Sequence, residues 1–284
     1  MSVAAAVNNL LAQFGLQMVR SSTLAQLISA ANHPAPEPAQ PEPTQSTIEA
    51  VEDVLQEIYS TQLDVSPALI TMFKDMRVTA QIAAGQSSAA WIANHADKVN
   101  TYPTRHDMLE ELCKGELPAG GLAEFGVFTG AVTRFLRPRF PTRTYHAFDS
   151  FEGVPESMGL AIKAGDFALG GTIPELPDGV TTHIGWFEDT VPVFRQQYTD
   201  RLAFVYIDCD LFESVKTVLA NLHDLLAPGA TVVFDDWYNF PNWQAHSRRA
   251  LEELVERTGT KFTPIGLTIR EHAVAFRYDG TAAS

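Results

Sequence analysis

The stretch FVYIDCD, Phe204–Asp210, decides the fold, and TVVFDDW, Thr231–Trp237, repeats its pattern. Each is a short apolar run, rich in Val, Ile, Phe and Tyr, that ends in two carboxylates. A run of this length and composition reads as a strand buried on both faces. Between them LFESVKTVLANLHDLL has the spacing of an amphipathic helix, and Ala227-Pro228-Gly229 reads as its stop signal. Strand, helix and strand of this size form a βαβ unit, so the two strands run parallel. Parallel strands bring their carboxyl ends to one edge of the sheet. Asp208, Asp210, Asp235 and Asp236 are therefore expected to meet at the edge where open α/β sheets bind ligands.

The neighbouring segments extend this sheet. GLAEFG, Gly121–Gly126, reads as a strand that runs into VFTGAVTRFL, the opening of a helix, and a glycine turn at a helix N-terminus cradles nucleotides. The spacing is E-x-G-x-x-x-G (Glu124, Gly126, Gly130), which departs from the dinucleotide fingerprint. A glutamate at that strand end suits a ligand with a positive amino group better than a diphosphate. TYHAFDSF ends a second strand in Asp149, 23 positions after Gly126. Acidic side chains that bind ribose hydroxyls fall about 20 residues after such a turn. The Gly- and Pro-rich stretch from Ser150 to Gly179 has the length of a lid. Val180–Ile184 reads as a third strand, and Gly185, Trp186 and Phe187 follow at its turn, where an adenine ring can stack or the aromatics can seal the sheet. A helix in NWQAHSRRALEELVERTG and two strands, KFTPIGLT and EHAVAFRYD, close the chain as an antiparallel edge hairpin. The expected class is α/β, with a seven-stranded, mostly parallel, Rossmann-like sheet over residues 116–284.

Composition narrows the partners. The 284 residues are 45% hydrophobic with a net charge of -14, which disfavours nucleic acid because its phosphates would be repelled. Two cysteines, Cys113 and Cys209, are too few for a disulfide framework, so a reducing, cytoplasmic setting is expected. No apolar run approaches the ~18 residues of a transmembrane span.

Residues 1–46 read as an amphipathic helix followed by the linker HPAPEPAQPEPTQS. The helix suits docking or homodimer formation, with an anchor or arm as the other reading. Residues 47–115 read as a helical segment covering the substrate side, with helices from Thr47, around Pro67–Ala84 and Ser87–Lys98, and from near Pro103. His95 and His106 have no ligand partner at metal spacing and read as surface groups. Tyr102, Thr104 and Arg105 either reach over a cofactor or simply start a helix.

EFGVFTG, AFDSFEGVPE, GWFEDTVP, YIDCDLFESVKTVL and VVFDDWYNFPNW, in this order, resemble the macrocin O-methyltransferase-like family of class I S-adenosylmethionine-dependent methyltransferases. That family includes sugar O-methyltransferases of macrolide and aminocoumarin biosynthesis. The resemblance covers about Tyr102–Tyr278 and implies a class I methyltransferase sheet, S-adenosylmethionine, and a divalent cation, usually Mg2+. It implies a metal held by Asp208, Asp235 and Asp236, with Asp210 as general base and Asp208 beside it in catalysis. The expected cofactor-binding set is Glu124, Gly126, Gly130, Asp149, Ser150, Gly185, Trp186, Phe187 and Asp208. The acceptor implied is a hydroxyl of a sugar or other small molecule. The N-terminal segment and Asn239–Arg249 depart from the antibiotic enzymes, which leaves the acceptor open.

The residues agree with that chemistry. Asp208 and Asp210 are two apart, so on extended backbone they point one way while Cys209 points into packing. Carboxylates bind hard cations such as Mg2+, which keep positions open for water or substrate. A bound cation lowers the pKa of a coordinated hydroxyl, and Asp210, or else His183 or His246, takes its proton. Without a cation the carboxylates raise one another's pKa values, as in a purely structural network. Asp208-Cys209-Asp210 also satisfies the D-x-D motif of a metal-dependent glycosyltransferase, and a non-catalytic protein can keep the same fold.

Overall fold

The structure, a computed structural model, describes residues 74–158 and 162–281. The expected N-terminal helix, the Pro-rich linker, the helix from Thr47 and any pairing through them lie outside these residues. Eight strands form one sheet: β1 (Asn100–Tyr102), β2 (Gly121–Phe125), β3 (Tyr145–Asp149), β4 (Val180–Ile184), β5 (Leu202–Ile207), β6 (Leu226–Phe234), β7 (Thr260–Thr268) and β8 (Val274–Thr281). Their order is β1-β7-β8-β6-β5-β2-β3-β4. Only β8 runs against the others, pairing antiparallel with both β6 and β7. The sheet is thus α/β and mostly parallel, as the apolar runs implied.

Three expectations change. The sheet has eight strands rather than seven, because Asn100–Tyr102 pairs parallel with β7 through Asn100–Gly266, Thr101–Leu267 and Tyr102–Thr268. The segment 47–115 is therefore not wholly helical, and β1, not the β7–β8 hairpin, forms that edge. Secondly, the helices expected on either side of Gly85 are one helix among the described residues, α1 (Met76–Ala93), with Asp75 accepting from the Arg77 backbone as its N-cap. A single glycine lowers helix propensity by only ~1 kcal/mol, which packing overrides. Thirdly, Ala227-Pro228-Gly229 lies inside β6 rather than at a helix end. The register jumps from Leu202–Leu226 to Phe204–Thr231, so an irregularity absorbs Pro228 and the left-handed Gly229 (φ 86°).

The alternation of side chains along the strands builds two layers. On one face Phe125, Val205, Ile207, Val232 and Phe234 pack with α1, α4 (Phe187–Gln197), α5 (Phe212–Leu222) and α6 (Ser247–Thr258). On the other, Leu122, Phe204, Tyr206 and Val233 pack with Met108 and Leu109 of α2 (Arg105–Lys114) and Leu136 of α3 (Ala131–Leu136). Phe125, Phe204 and Phe234 are fully buried, and each such side chain contributes roughly 1.5–3 kcal/mol. α1 docks by hydrogen bonds as well as contact. The Ser88 hydroxyl accepts from the Asn239 backbone N–H at 2.8 Å, and the Ser87 hydroxyl accepts from the Trp243 indole at 2.9 Å. Among the described residues, no helix is long and apolar enough to cross a membrane.

His146 and His183 sit side by side on β3 and β4, Nδ1 to Nε2 at 3.1 Å, and His183 stacks on Phe148 at 4.2 Å between ring centres. Burial first, and then the neighbouring His183, push the His146 pKa from its usual 6.5 down to about 4. The unfolded chain therefore binds this proton more tightly than the folded one between those values. Stability from the neutral His146 is complete above about pH 6.5 and is lost as pH falls toward about 4. His146→Phe is expected to flatten this limb, with about one proton fewer taken up on unfolding between these pH values. Chemical denaturation at several pH values checks this, and an unchanged slope would contradict it.

Candidate active site

Backbone hydrogen bonds continue the parallel pairing past the strand ends. The N–H of Gly126 donates to Phe148, that of Asp208 to Phe125, that of Asp235 to Ile207 and that of Gly185 to Asp149, all at 2.8–3.0 Å. The residue after each strand is thus locked beside its neighbour, and the tips of β4, β3, β2, β5 and β6 form one continuous edge. Gly126 is where this edge is tightest. Its φ is 88°, and a Cβ there would lie 1.8 Å from the Asp208 carbonyl oxygen. Only glycine lets the β2 and β5 tips close to this spacing. A cavity of about 400 Å³ opens over the edge, lined by Gly126, Asp149, Ser150, Gly185, Trp186, Phe187, Asp208, Asp210, Asp235 and Asp236.

The four aspartates meet in this cavity, but not as equals. Asp208, Asp210 and Asp236 each place one carboxylate oxygen within 4.8 Å of the others. Such an oxygen-only set suits a hard divalent cation. Asp235 is held to one side. Its Oδ1 accepts from the buried Tyr206 hydroxyl at 2.6 Å, and its Oδ2 accepts from Arg105 Nη1 at 2.6 Å. The trio whose oxygens lie together thus includes Asp210, which turns back through a left-handed φ of 57° after β5, where the resemblance implied Asp235. Burial, and then the charges of neighbouring aspartates, push the Asp208 and Asp236 carboxyls well above the usual carboxylate range. Burial also raises Asp210, while a hydrogen bond with Asp236 pulls the other way. Burial works against the Arg105 charge, yet Asp235 and its neighbours outweigh it and raise its pKa. Cys209 points away, Sγ toward the Phe125 carbonyl at 3.7 Å, and burial pushes its thiol pKa up.

Asp149 organises the other half of the cavity. Its Oδ2 accepts from the backbone N–H groups of Val127 and Phe128, and its Oδ1 from Phe151, each at 2.7 Å. It thereby ties the glycine turn to the loop after β3, with Ser150 beside it. Glu124 and Gly130, expected to touch the ligand, lie outside the cavity lining. Glu124 is 1% exposed, on the face covered by α3, and accepts from Thr133 at 2.7 Å and Tyr145 at 2.5 Å. Burial outweighs these bonds and lifts its pKa to about 7. Gly130 is the left-handed residue that starts α3, where a Cβ would lie 2.5 Å from Leu176. His183 is packed against Phe148 and Phe194 instead of reaching the cavity, and His246 also lies outside the lining.

Three contributors had weak sequence signals. Thr104 makes a capping box with Asp107, which fixes Arg105 as the first residue of α2 and aims it at the carboxylates. Phe128 and Phe167 stand at the cavity, 41% and 48% exposed, each at positive φ, with ring centres 5.6 Å apart. Large exposed aromatics on left-handed backbone signal function after the fold is known.

Residues 123–237 match the family model of a methyltransferase domain. These residues span the glycine turn, Asp149 and all four aspartates. The chain is 33% identical over 142 residues to the 8-demethyl-8-(2,3-dimethoxy-alpha-L-rhamnosyl)-tetracenomycin-C 4'-O-methyltransferase of Streptomyces olivaceus, covering 42% of this chain and 53% of that protein. It is 28% identical over 156 residues to demethyldecarbamoylnovobiocin O-methyltransferase of Streptomyces niveus, covering 47% of this chain and 58% of that one. The chain thus spans about half the length of these curated relatives. Among solved structures, the O-methyltransferase NovP aligns with a TM-score of 0.43 and 23% identity, over 62% of this chain and 78% of its own.

Gly126→Ala is expected to cost about 4 kcal/mol or more, since the methyl group must displace backbone. Equilibrium denaturation measures this, and a loss below about 1 kcal/mol would contradict the close approach of the two strand tips.

Proposed function

We propose that this chain is an S-adenosylmethionine-dependent, divalent-metal-assisted O-methyltransferase acting on a hydroxyl of a sugar or other small molecule. The observation that carries this is the single cavity joining the glycine turn and Asp149 to the carboxylate cluster. The glycosyltransferase reading of Asp208-Cys209-Asp210 gives no task to Gly126 and Asp149, which line the same cavity. A non-catalytic role leaves the cost of gathering four carboxylates unexplained.

In this reading Gly126, Asp149, Ser150 and Gly185–Phe187 hold the cofactor, with Asp208 at its reactive end. Asp208, Asp210 and Asp236 hold the cation. When bound, the two groups supply an electrophilic methyl on sulfonium and a lowered pKa for the acceptor hydroxyl. The residues do the rest. Asp210, at the cavity wall beside Asp208 and Asp236, takes the hydroxyl proton. General-base assistance of this kind is typically worth about 10²–10⁴-fold. The cavity walls position acceptor oxygen against methyl carbon, where orientation is a large part of the rate. Phe128 and Phe167 offer an apolar surface to the acceptor's non-reacting part. A sugar hydroxyl is favoured because the Streptomyces olivaceus relative is named for 4'-O-methylation of a rhamnosyl-bearing compound.

Calorimetry with S-adenosylmethionine is expected to show binding, and Asp149→Ala to weaken it about 10–100-fold, because the glycine turn and the loop after β3 lose the charge-assisted hydrogen bonds that tie them together. No binding would refute the methyltransferase reading, and an unaltered dissociation constant in the variant would take Asp149 out of the site. Asp208→Asn and Asp236→Asn are each expected to abolish Mg2+-dependent methylation of a panel of glycosylated acceptors, with cofactor affinity held within about threefold. Undiminished turnover in either would remove the cation from the mechanism.

A further inference from the structure

Arg105 has the one guanidinium that reaches the carboxylates among the described residues. Its Nη1 is 2.6 Å from Asp235 and 3.9 Å from Asp208. The backbone is fixed from two sides: the Thr104–Asp107 box starts the helix, and the Arg105 N–H donates to the Glu271 carboxylate. The side chain itself is 40% exposed, whereas that of Asp235 is 15% exposed and anchored by Tyr206. Arg105 is therefore the more accessible and less anchored member of the pair. A half-exposed cationic side chain on a fixed backbone faces a set of oxygens that suits a second cation.

We infer that Arg105 is a built-in competitor of the divalent ion, neutralising the cluster before the ion arrives and setting how tightly it is held. The inference rests on the metal-assisted reading proposed above. It follows from charge alone. With Arg105 in place the four carboxylates present a net charge of at most three, and Asp235 is spent on the guanidinium. With Arg105 gone the full charge faces the ion and Asp235 becomes available as a further ligand. Both changes act in one direction, since divalent-ion affinity rises with the number of charged oxygens. The arginine thus keeps the ion exchangeable, at a cost in affinity.

The test needs the metal alone and no acceptor. Mn2+ is titrated calorimetrically into the full chain, its Arg105→Gln variant and its Arg105→Lys variant, and each is melted with Mn2+ or with chelator. Arg105→Gln is expected to bind Mn2+ about tenfold or more tightly than the parent, and Arg105→Lys within about threefold of it. With chelator Arg105→Gln is expected to melt below the parent, and to gain more from Mn2+, because unneutralised carboxylates destabilise only the metal-free form. If that variant folds only with Mn2+ present, the same dependence is seen at its extreme. Equal or weaker Mn2+ binding by Arg105→Gln would overturn the competition while leaving the metal reading intact. Failure of Mn2+ to bind any of the three would overturn both.

Discussion

Repulsion between carboxylates is the constraint on which this site depends. Two adjacent parallel strands, β5 and β6, each end in acidic residues, and their pairing fixes Asp235 beside the β5 tip through its N–H to Ile207. Two like charges about 4 Å apart cost on the order of 4 kcal/mol at an effective dielectric of about 20. Four gathered in a half-buried cleft would undermine a domain of ordinary stability. The fold answers with Arg105 and Tyr206 on Asp235, and with raised pKa values on Asp208, Asp210 and Asp236. A bound cation would relieve the same repulsion that raises these carboxyls.

The same edge geometry explains why the two halves of the cavity share a wall. Gly126 permits β2 to approach the Asp208 carbonyl closer than any side chain allows. Asp149, one strand further on, spends both its oxygens on backbone N–H groups and so rigidifies the turn that Gly126 begins. A ligand lying along the tips from Gly185 to Asp208 would meet backbone and one carboxylate first, and the acidic cluster at its far end. Position along the edge, set by strand order, distributes the roles.

The middle of the sheet was legible because β5 and β6 are apolar runs with abrupt acidic ends. β1 was not. Asn-Thr-Tyr has no apolar alternation, and only the β7 backbone makes it a strand. Convergence of Asp208, Asp210, Asp235 and Asp236 followed from the βαβ unit, but their division of labour did not. The partner that occupies Asp235 is 130 positions away, and no local pattern announces a contact at that separation. Glu124 is a different case. It shares a strand face with Leu122, and Leu122 is buried with α2 and α3, so two-residue alternation already pointed its carboxylate into packing. Its pairing with Thr133 and Tyr145 satisfies one oxygen inside the domain.

Anomalous diffraction from crystals grown with Mn2+ and S-adenosylhomocysteine tests the central claim most directly. The account predicts one manganese peak bounded by Asp208, Asp210 and Asp236, with the cofactor product lying from Gly126 to Trp186 in the same cavity. A cofactor bound there with no metal at the carboxylates, or a metal bound elsewhere, would contradict it.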